Sequence, residues 1–499
     1  MSTTEAVKWR HTSPLAVIFF LGKIYQTIAQ NAVQSLLPLV AFLFAYEGKL
    51  MTKVIIGISA FVTITIIISI VRYWFFRFQI AEDSVLIREG VIKKTELNIK
   101  FDRIQAISTT QNVVYRIFDL VTIKLDTAGS AGQEGHLPAI KIALAARLRD
   151  KIRRKPVSAN RDRGESENAE DNIHPVRSLL SLSSADMVKI GLSDNRALIF
   201  LAFLGPVIEQ FDQMIDAGIE DGTIVAAVGG VQANVAVGLL LVFGFLLFLA
   251  TASIIGAFLR YHKFELVADN DILRSTGGLL TRHEHSINLA KIQTVVASQG
   301  IMLRLFGRFR LKARQATSGK YKSLTIPLCM PRQLAPLTTE LFGGEFAGLL
   351  IEPANAAFRP IAKQFIPSRL VLIGLLPACV AMAVLSSSLG WHAILALLWI
   401  PVALFGVWHV YRRYGVLVSE DGLALRKGFF GYRVTAFLHR KVQRVSVTQT
   451  LPQRRKGLAT MRFYLASGSV KVPYVDFAKA KALRDYVLFR VETSQLAWH

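Results

Sequence analysis

Seven basic residues and no acidic one occupy positions 304 to 322: Arg304, Arg308, Arg310, Lys312, Arg314, Lys320 and Lys322. Arg308, Arg310, Lys312 and Arg314 alternate with Phe309, Leu311 and Ala313, so a strand here sets cations on one face and apolar side chains in a core. Such a face holds lipid phosphates or an acidic partner through charge-assisted hydrogen bonds. It equally keeps a strand soluble and discourages edge pairing. Arg440, Lys441, Arg444, Arg454, Arg455 and Lys456 form a second basic set.

Other chemistry is sparse. His283-Glu284-His285 puts two imidazoles on one face of a strand, but no third ligand lies nearby in sequence, so no metal is expected. No nucleophile elbow, phosphate-binding glycine loop or zinc-protease helix is present, so neither catalytic residues nor a cofactor are expected, and no small-molecule substrate is identified. Glu209 and Asp212 sit near the end of an apolar stretch, where carboxylates can mark an ion path. A position at the outer surface explains them more simply.

The elements that carry the basic residues are repeated. The pattern D-x6-G-x14-Q-x5-Q-x4-R occurs three times without gaps: Asp83, Gly90, Gln105, Gln111 and Arg116; Asp271, Gly278, Gln293, Gln299 and Arg304; Asp421, Gly428, Gln443, Gln449 and Arg454. A basic residue precedes the first glutamine by two positions each time: Arg103, Lys291 and Lys441. Each copy reads as a hairpin, a glycine bend, further short strands, a Pro-containing edge strand and a closing helix. The glutamines are expected to satisfy buried backbone groups at a bend.

Hydrophobic residues make up 52% of the 499-residue chain and charged residues 19%, which suits a membrane protein with sizeable aqueous parts. The net charge of +24 favours an anionic cytoplasmic leaflet, and no nucleic-acid-binding motif accompanies it. Two cysteines, Cys329 and Cys379, lie in different kinds of segment, so a disulfide is not expected. An amphipathic helix is expected at 15–30. Spans are expected in pairs at 31–46 and 54–71, 197–215 and 231–259, and 370–389 and 391–410. The 209–230 connection holds five acidic residues and no Lys or Arg, whereas Arg72, Arg77, Arg196, Arg260, Arg412 and Arg413 gather at the opposite ends. The positive-inside rule then puts both termini and all three repeats in the cytoplasm.

The organisation that follows has a lead-in and first span pair at 1–76, a first strand-rich domain at 77–154 and a polar linker at 155–174. A second lead-in and span pair occupy 175–260, with the second domain at 261–350. The third lead-in and pair fill 351–412, and the last domain 413–499.

The hairpin, Gly90, Arg103-Ile104-Gln105, Gln111 and Arg116-Ile117-Phe118, with Lys291-Ile292-Gln293 through Arg304-Leu305-Phe306-Gly307, resemble the bacterial pleckstrin-homology-like (PH-like) domain type 2. Three copies, each behind two spans, are similar to the YdbT-like branch of those membrane proteins. Asp119 departs from Gly307 and Gly457, and Lys456 from Phe118 and Phe306, which puts the turn and its packing in question in those copies. The resemblance implies a multi-pass α-helical membrane protein with three cytoplasmic PH-like β-sandwich domains, each of seven short strands plus a C-terminal helix. It also implies a non-enzymatic role in a bacterial plasma membrane and a smaller membrane protein with one similar domain as partner. The favoured expectation is a scaffold or binding protein that presents its domains to protein partners and to anionic membrane lipid. The alternatives are a transporter or envelope-export component regulated by its domains, and a dedicated anionic-lipid sensor.

Overall fold

The computed structural model describes residues 9–31, 50–91, 93–127, 135–154, 177–194, 231–269, 272–315, 323–342 and 358–494. Repeat one supplies strands β1 (Arg77–Ile80), β2 (Ser84–Glu89), β3 (Thr95–Lys100), β4 (Ile104–Gln111), β5 (Leu120–Thr127) and β6 (Gly135–Lys141). Repeat two supplies β7 (Arg177–Ser181), β8 (Glu265–Asp269), β9 (Ile272–Gly277), β10 (Arg282–Asn288), β11 (Ile292–Gln299), β12 (Phe309–Gln315) and β13 (Ser323–Cys329). Repeat three supplies β14 (Arg359–Pro360), β15 (Gly415–Val418), β16 (Gly422–Lys427), β17 (Tyr432–Leu438), β18 (Val442–Thr448), β19 (Leu458–Leu465) and β20 (Gly468–Asp476). All pairings described among them are antiparallel.

The chain forms two compact units: Met1–Pro175 with Leu280–Ile287 and Thr317–Lys320, and Val176–Leu279 with Asn288–Ala316 and Tyr321–His499. In the first, the sheet β1-β2-β3 and the strands β6-β5-β4-β10 enclose one core. Phe78, Ile87 and Ile99 from one side meet Ile123, Leu125 and Leu137 from the other. Helix Ile142–Arg154 closes this core with Leu148. In the second unit the same construction joins β17-β16-β15-β14 to β18-β19-β20. Phe437 and Phe463 lie 5.3 Å apart, and helix Phe477–Thr493 contributes Val487. Each construction is a β-sandwich with a closing helix.

Three features of the repeat explain its signature. The second glutamine donates its side-chain amide to a carbonyl nine residues on in every copy: Gln111 to Leu120 at 3.0 Å, Gln299 to Arg308 at 3.2 Å and Gln449 to Leu458 at 2.8 Å. That bond spans a short helix (Val113–Ile117, Ile301–Leu305, Leu451–Arg455) and fixes where the next strand begins. The helix then exits through a left-handed residue: Gly307 at φ +60°, Gly457 at +61° and Asp119 at +51°. Asp119 therefore keeps the turn that glycine makes elsewhere, as a short polar side chain can. At the β2–β3 bend and its counterpart in repeat three, a Cβ on Gly90 or Gly428 would collide with the backbone carbonyl of Lys93 or of Gly431.

Consecutive repeats are joined through strands. β10 of repeat two pairs with β4 of repeat one, and β17 of repeat three pairs with β11 of repeat two. The register is the same at both joints: Gln111 faces Arg282 as Gln299 faces Tyr432, and Thr109 faces Glu284 as Ala297 faces Val434. In the first joint Arg149 grips Glu284 with two bonds of 2.9 and 3.1 Å, and the Thr109 hydroxyl donates to the same carboxylate at 3.0 Å. In the second joint the fully buried Lys441, one of the three repeated basic residues, donates to the Ala290 carbonyl.

The lead-in segments, which the sequence groups with the spans, each reach a sheet. β7 pairs with β8, β14 with β15, and Arg10 makes an isolated bridge to Phe78. Repeats two and three thereby reach seven strands. Four described helical stretches are long and apolar enough to cross a membrane: Ile55–Phe75, Phe243–Tyr261, Phe365–Ser388 and Gly390–Arg413. Only 11 to 17% of the most apolar stretch of each is buried in the protein, which leaves most of that apolar surface uncovered. The amphipathic segment forms helix Ala16–Gln30, with Phe20 packed 5.7 Å from Phe76. The expected spans at 31–46, apart from Asn31, and at 197–215, and the linker at 155–174, lie outside the described residues.

Candidate functional site

β12 runs between β11 and β13, so one of its faces is forced into the core: Phe309, Leu311, Ala313 and Gln315 are buried while Arg310, Lys312 and Arg314 stand half-buried on the other. The alternation read from the sequence holds over these three cations. Arg308 falls in the turn before the strand and Arg304 on helix Ile301–Leu305, its guanidinium 5.7 Å from the Tyr432 ring, so neither belongs to the strand face. Lys320 and Lys322 lie outside the described residues.

The joint between repeats two and three extends this face in a way the linear run does not reveal. Arg310 stands opposite Ser298, Ser298 opposite Arg433, and Arg433 opposite Lys427, one row across four strands. The mutual repulsion shows at the lysines. Burial first, then Arg314, Arg433 and Arg310, pushes the Lys312 ammonium below its ordinary pKa. Burial, then Arg433 and Arg314, does the same to Lys427. An anion placed here relieves both.

A cavity of about 590 Å³ opens over this face. Arg314, Arg369, Lys427, Arg433 and Lys471 contribute its charge, and among the described residues no Asp or Glu lines it. Its apolar wall comes largely from the third span pair: Phe365, Ile373, Val407 and Val410, with Phe429 beside them. Helix Phe365–Leu370 runs into a π-turn at Val371–Leu375, which is where Ile373 meets the cavity. The Trp399 indole donates to the Ile373 carbonyl at 2.8 Å, satisfying a group that a π-turn sets off the regular ladder. Cations at one end and span side chains at the other make an amphiphilic site.

The second basic set divides. Lys441 is consumed in the joint, whereas Arg454, Arg455 and Lys456 lie exposed on and after helix Leu451–Arg455. This short helix carries an exposed apolar residue at the same place in every repeat, Val113, Ile301 and Leu451, with Arg116, Arg304 and Arg454 three residues on. The histidine pair is stacked at 6.2 Å, and His285 Nδ1 contacts the Ser108 hydroxyl at 3.1 Å within the first joint. Cys329 is buried, with its thiol pushed up to about 12 by desolvation.

Apolar helices long enough to cross a membrane, together with closed β-sandwiches, define a membrane protein with PH-like domains. The chain belongs to the bacterial PH domain family, whose model matches at residues 18–156, 221–337 and 371–490. It is 24% identical over 482 residues to the UPF0699 transmembrane protein YdbT of Bacillus subtilis (strain 168), covering 92% of either chain. It is also 31% identical over 88 residues to UPF0699 transmembrane protein YdbS of the same organism, covering 18% of this chain and 54% of that relative. No solved structure gives a significant match.

Proposed function

We propose that this protein is a non-enzymatic membrane scaffold of the bacterial plasma membrane, holding its PH-like domains at the cytoplasmic leaflet and binding the headgroup phosphate of an anionic phospholipid in the cationic cavity. The observation that carries the reading is the lining itself: among the described residues, five cations, no carboxylate, and an apolar wall from two candidate spans. A phosphate within reach of several guanidinium groups gains charge-assisted bonds, while an acyl chain can follow the spans. The exposed apolar residue beside an arginine on each short helix suits contact with the bilayer interface. The match of an 88-residue segment to a relative about a third as long supports a smaller membrane protein with one such domain as a partner.

The test is native mass spectrometry of the full chain released from nanodiscs of mixed phosphatidylglycerol and phosphatidylcholine. Selective retention of phosphatidylglycerol is expected, with a loss of roughly fivefold for each cation removed, about 1 kcal/mol apiece. Lys427→Glu with Arg433→Glu should abolish the selectivity. Unchanged selectivity in that variant rejects the cavity as the lipid site.

A further inference from the structure

Of the strands equivalent to those paired in the two joints, two keep a single sheet neighbour among the described residues: β3 at one end of β1-β2-β3, and β18 at one end of β18-β19-β20. In the repeat alignment β3 is the counterpart of β10 and β17, and β18 the counterpart of β4 and β11. The first and third repeats therefore carry the two complementary halves of the joint that the chain uses internally. We propose that β18 of one copy pairs antiparallel with β3 of a second copy, head to tail, in the register of the internal joints. That register sets Thr448 opposite Thr95, Val447 opposite Glu96 and Ser446 opposite Leu97.

Burial supports the assignment. Along the joined β11 every residue except Ser298 is buried, whereas Gln443, Arg444 and Thr448 on β18 and Thr95, Glu96 and Asn98 on β3 are exposed. Charges usually keep an edge from pairing. Here, however, the edge charge has a precedent inside a joint, because Glu96 is the counterpart of Glu284.

The partner of Glu284 has its own counterpart. Aligned on Pro138 and Pro473, Leu148-Arg149-Asp150 falls on Leu483-Arg484-Asp485, so Arg484 corresponds to Arg149. In the second joint the same two positions hold Thr338 and Val434, both buried and neither charged. Base and acid thus occur together or not at all: Arg149 with Glu284, Thr338 with Val434 and, across the proposed joint, Arg484 with Glu96. Val447 stands where Thr109 donates, so Arg484 alone holds the carboxylate there. In the single chain Glu96 bonds Arg88 and Arg484 bonds its neighbour Asp485, solvent-exposed pairs that exchange at little cost. A heterologous contact of this type closes into a ring or propagates. The inference rests on strand register and is independent of the lipid reading.

The test uses two differently tagged full-length copies in a Cys379→Ala background, Cys329 being buried. One copy carries Thr95→Cys and the other Thr448→Cys; they are co-expressed and the membranes mildly oxidised. Directly opposed antiparallel residues lie roughly 4.5–5.5 Å apart at Cα, within disulfide reach. A cross-linked species bearing both tags is expected, and several-fold less when the Thr448→Cys copy is offered Asn98→Cys, three residues out of register. Glu96→Arg should lower the yield several-fold, and Arg484→Glu in the other copy should restore it. Three outcomes overturn the proposal: no species with both tags, equal yield from the out-of-register pair, or capture of the Thr448→Cys copy by a different protein such as a shorter one-domain relative.

Discussion

At the single-residue level the second glutamine does the same work in all three repeats, capping the carbonyl at which the next strand begins. Gln299 is the most informative to remove, because it is buried and its acceptor, the Arg308 carbonyl, borders the cationic face. Gln299→Ala should cost about 1–2 kcal/mol, from the loss of one bond and a stranded acceptor, read from denaturant unfolding in detergent. The turn that follows discriminates by backbone rather than by contacts, since nothing lies within 4 Å of where a Cβ on Gly307 would sit. Gly307→Val should lose about 1–2 kcal/mol from left-handed strain. Gly307→Asp should lose less, because Asp119 already occupies that conformation in repeat one. Equal losses would remove the left-handed backbone as the basis of the preference.

Among the elements, the joints carry the most consequence. In the first, His285 packs between Ser108 on β4 and His283, and burial, then His283, holds its pKa below the usual imidazole value. Lys124 acts in the same direction and Glu284 against it. A base whose folded pKa is depressed binds protons less readily folded than unfolded, so its stabilisation is complete above the unfolded value of 6.5 and declines as pH falls below it. The melting temperature should therefore drop between pH 7 and pH 5, and His285→Gln should reduce that drop; an unchanged slope would remove His285 from the account. The strands, glycine bends and closing helices of these elements were legible in the sequence because each depends on local spacing repeated three times. The joints were not: Arg149 and Glu284 are 135 residues apart, and a strand half-covered by the next repeat has the same pattern as one half-covered by its own. The lead-in strands were hidden because a span pair separates β7 from β8 and β14 from β15. The basic site was half legible. The alternation around Lys312 shows in the sequence, but Arg433 and Lys427 reach it only through a cross-repeat pairing.

On the scale of the whole molecule, the repeated unit is a sandwich interrupted by spans, because strands on both sides of the second and third candidate span regions pair in one sheet and Arg10 bridges to Phe78 around the first. A β-sheet cannot form across a bilayer from strands on opposite sides, so the lead-in and the domain that follows must share a face of the membrane. An even number of crossings within each interruption is then expected, and among the described residues the third interruption alone holds both of its candidate spans. Under the proposed cytoplasmic placement of the domains, the positive-inside rule would put the acidic, Lys- and Arg-free connection at 209–230 on the outer side. A membrane-impermeant maleimide should label Glu220→Cys in intact cells lacking an outer membrane, in the Cys379→Ala background. Asn98→Cys, exposed on β3, should react only after the membrane is opened. Labelling of both positions in intact cells would place a domain outside, and would break the link between charge asymmetry and strand pairing on which the cytoplasmic assignment stands.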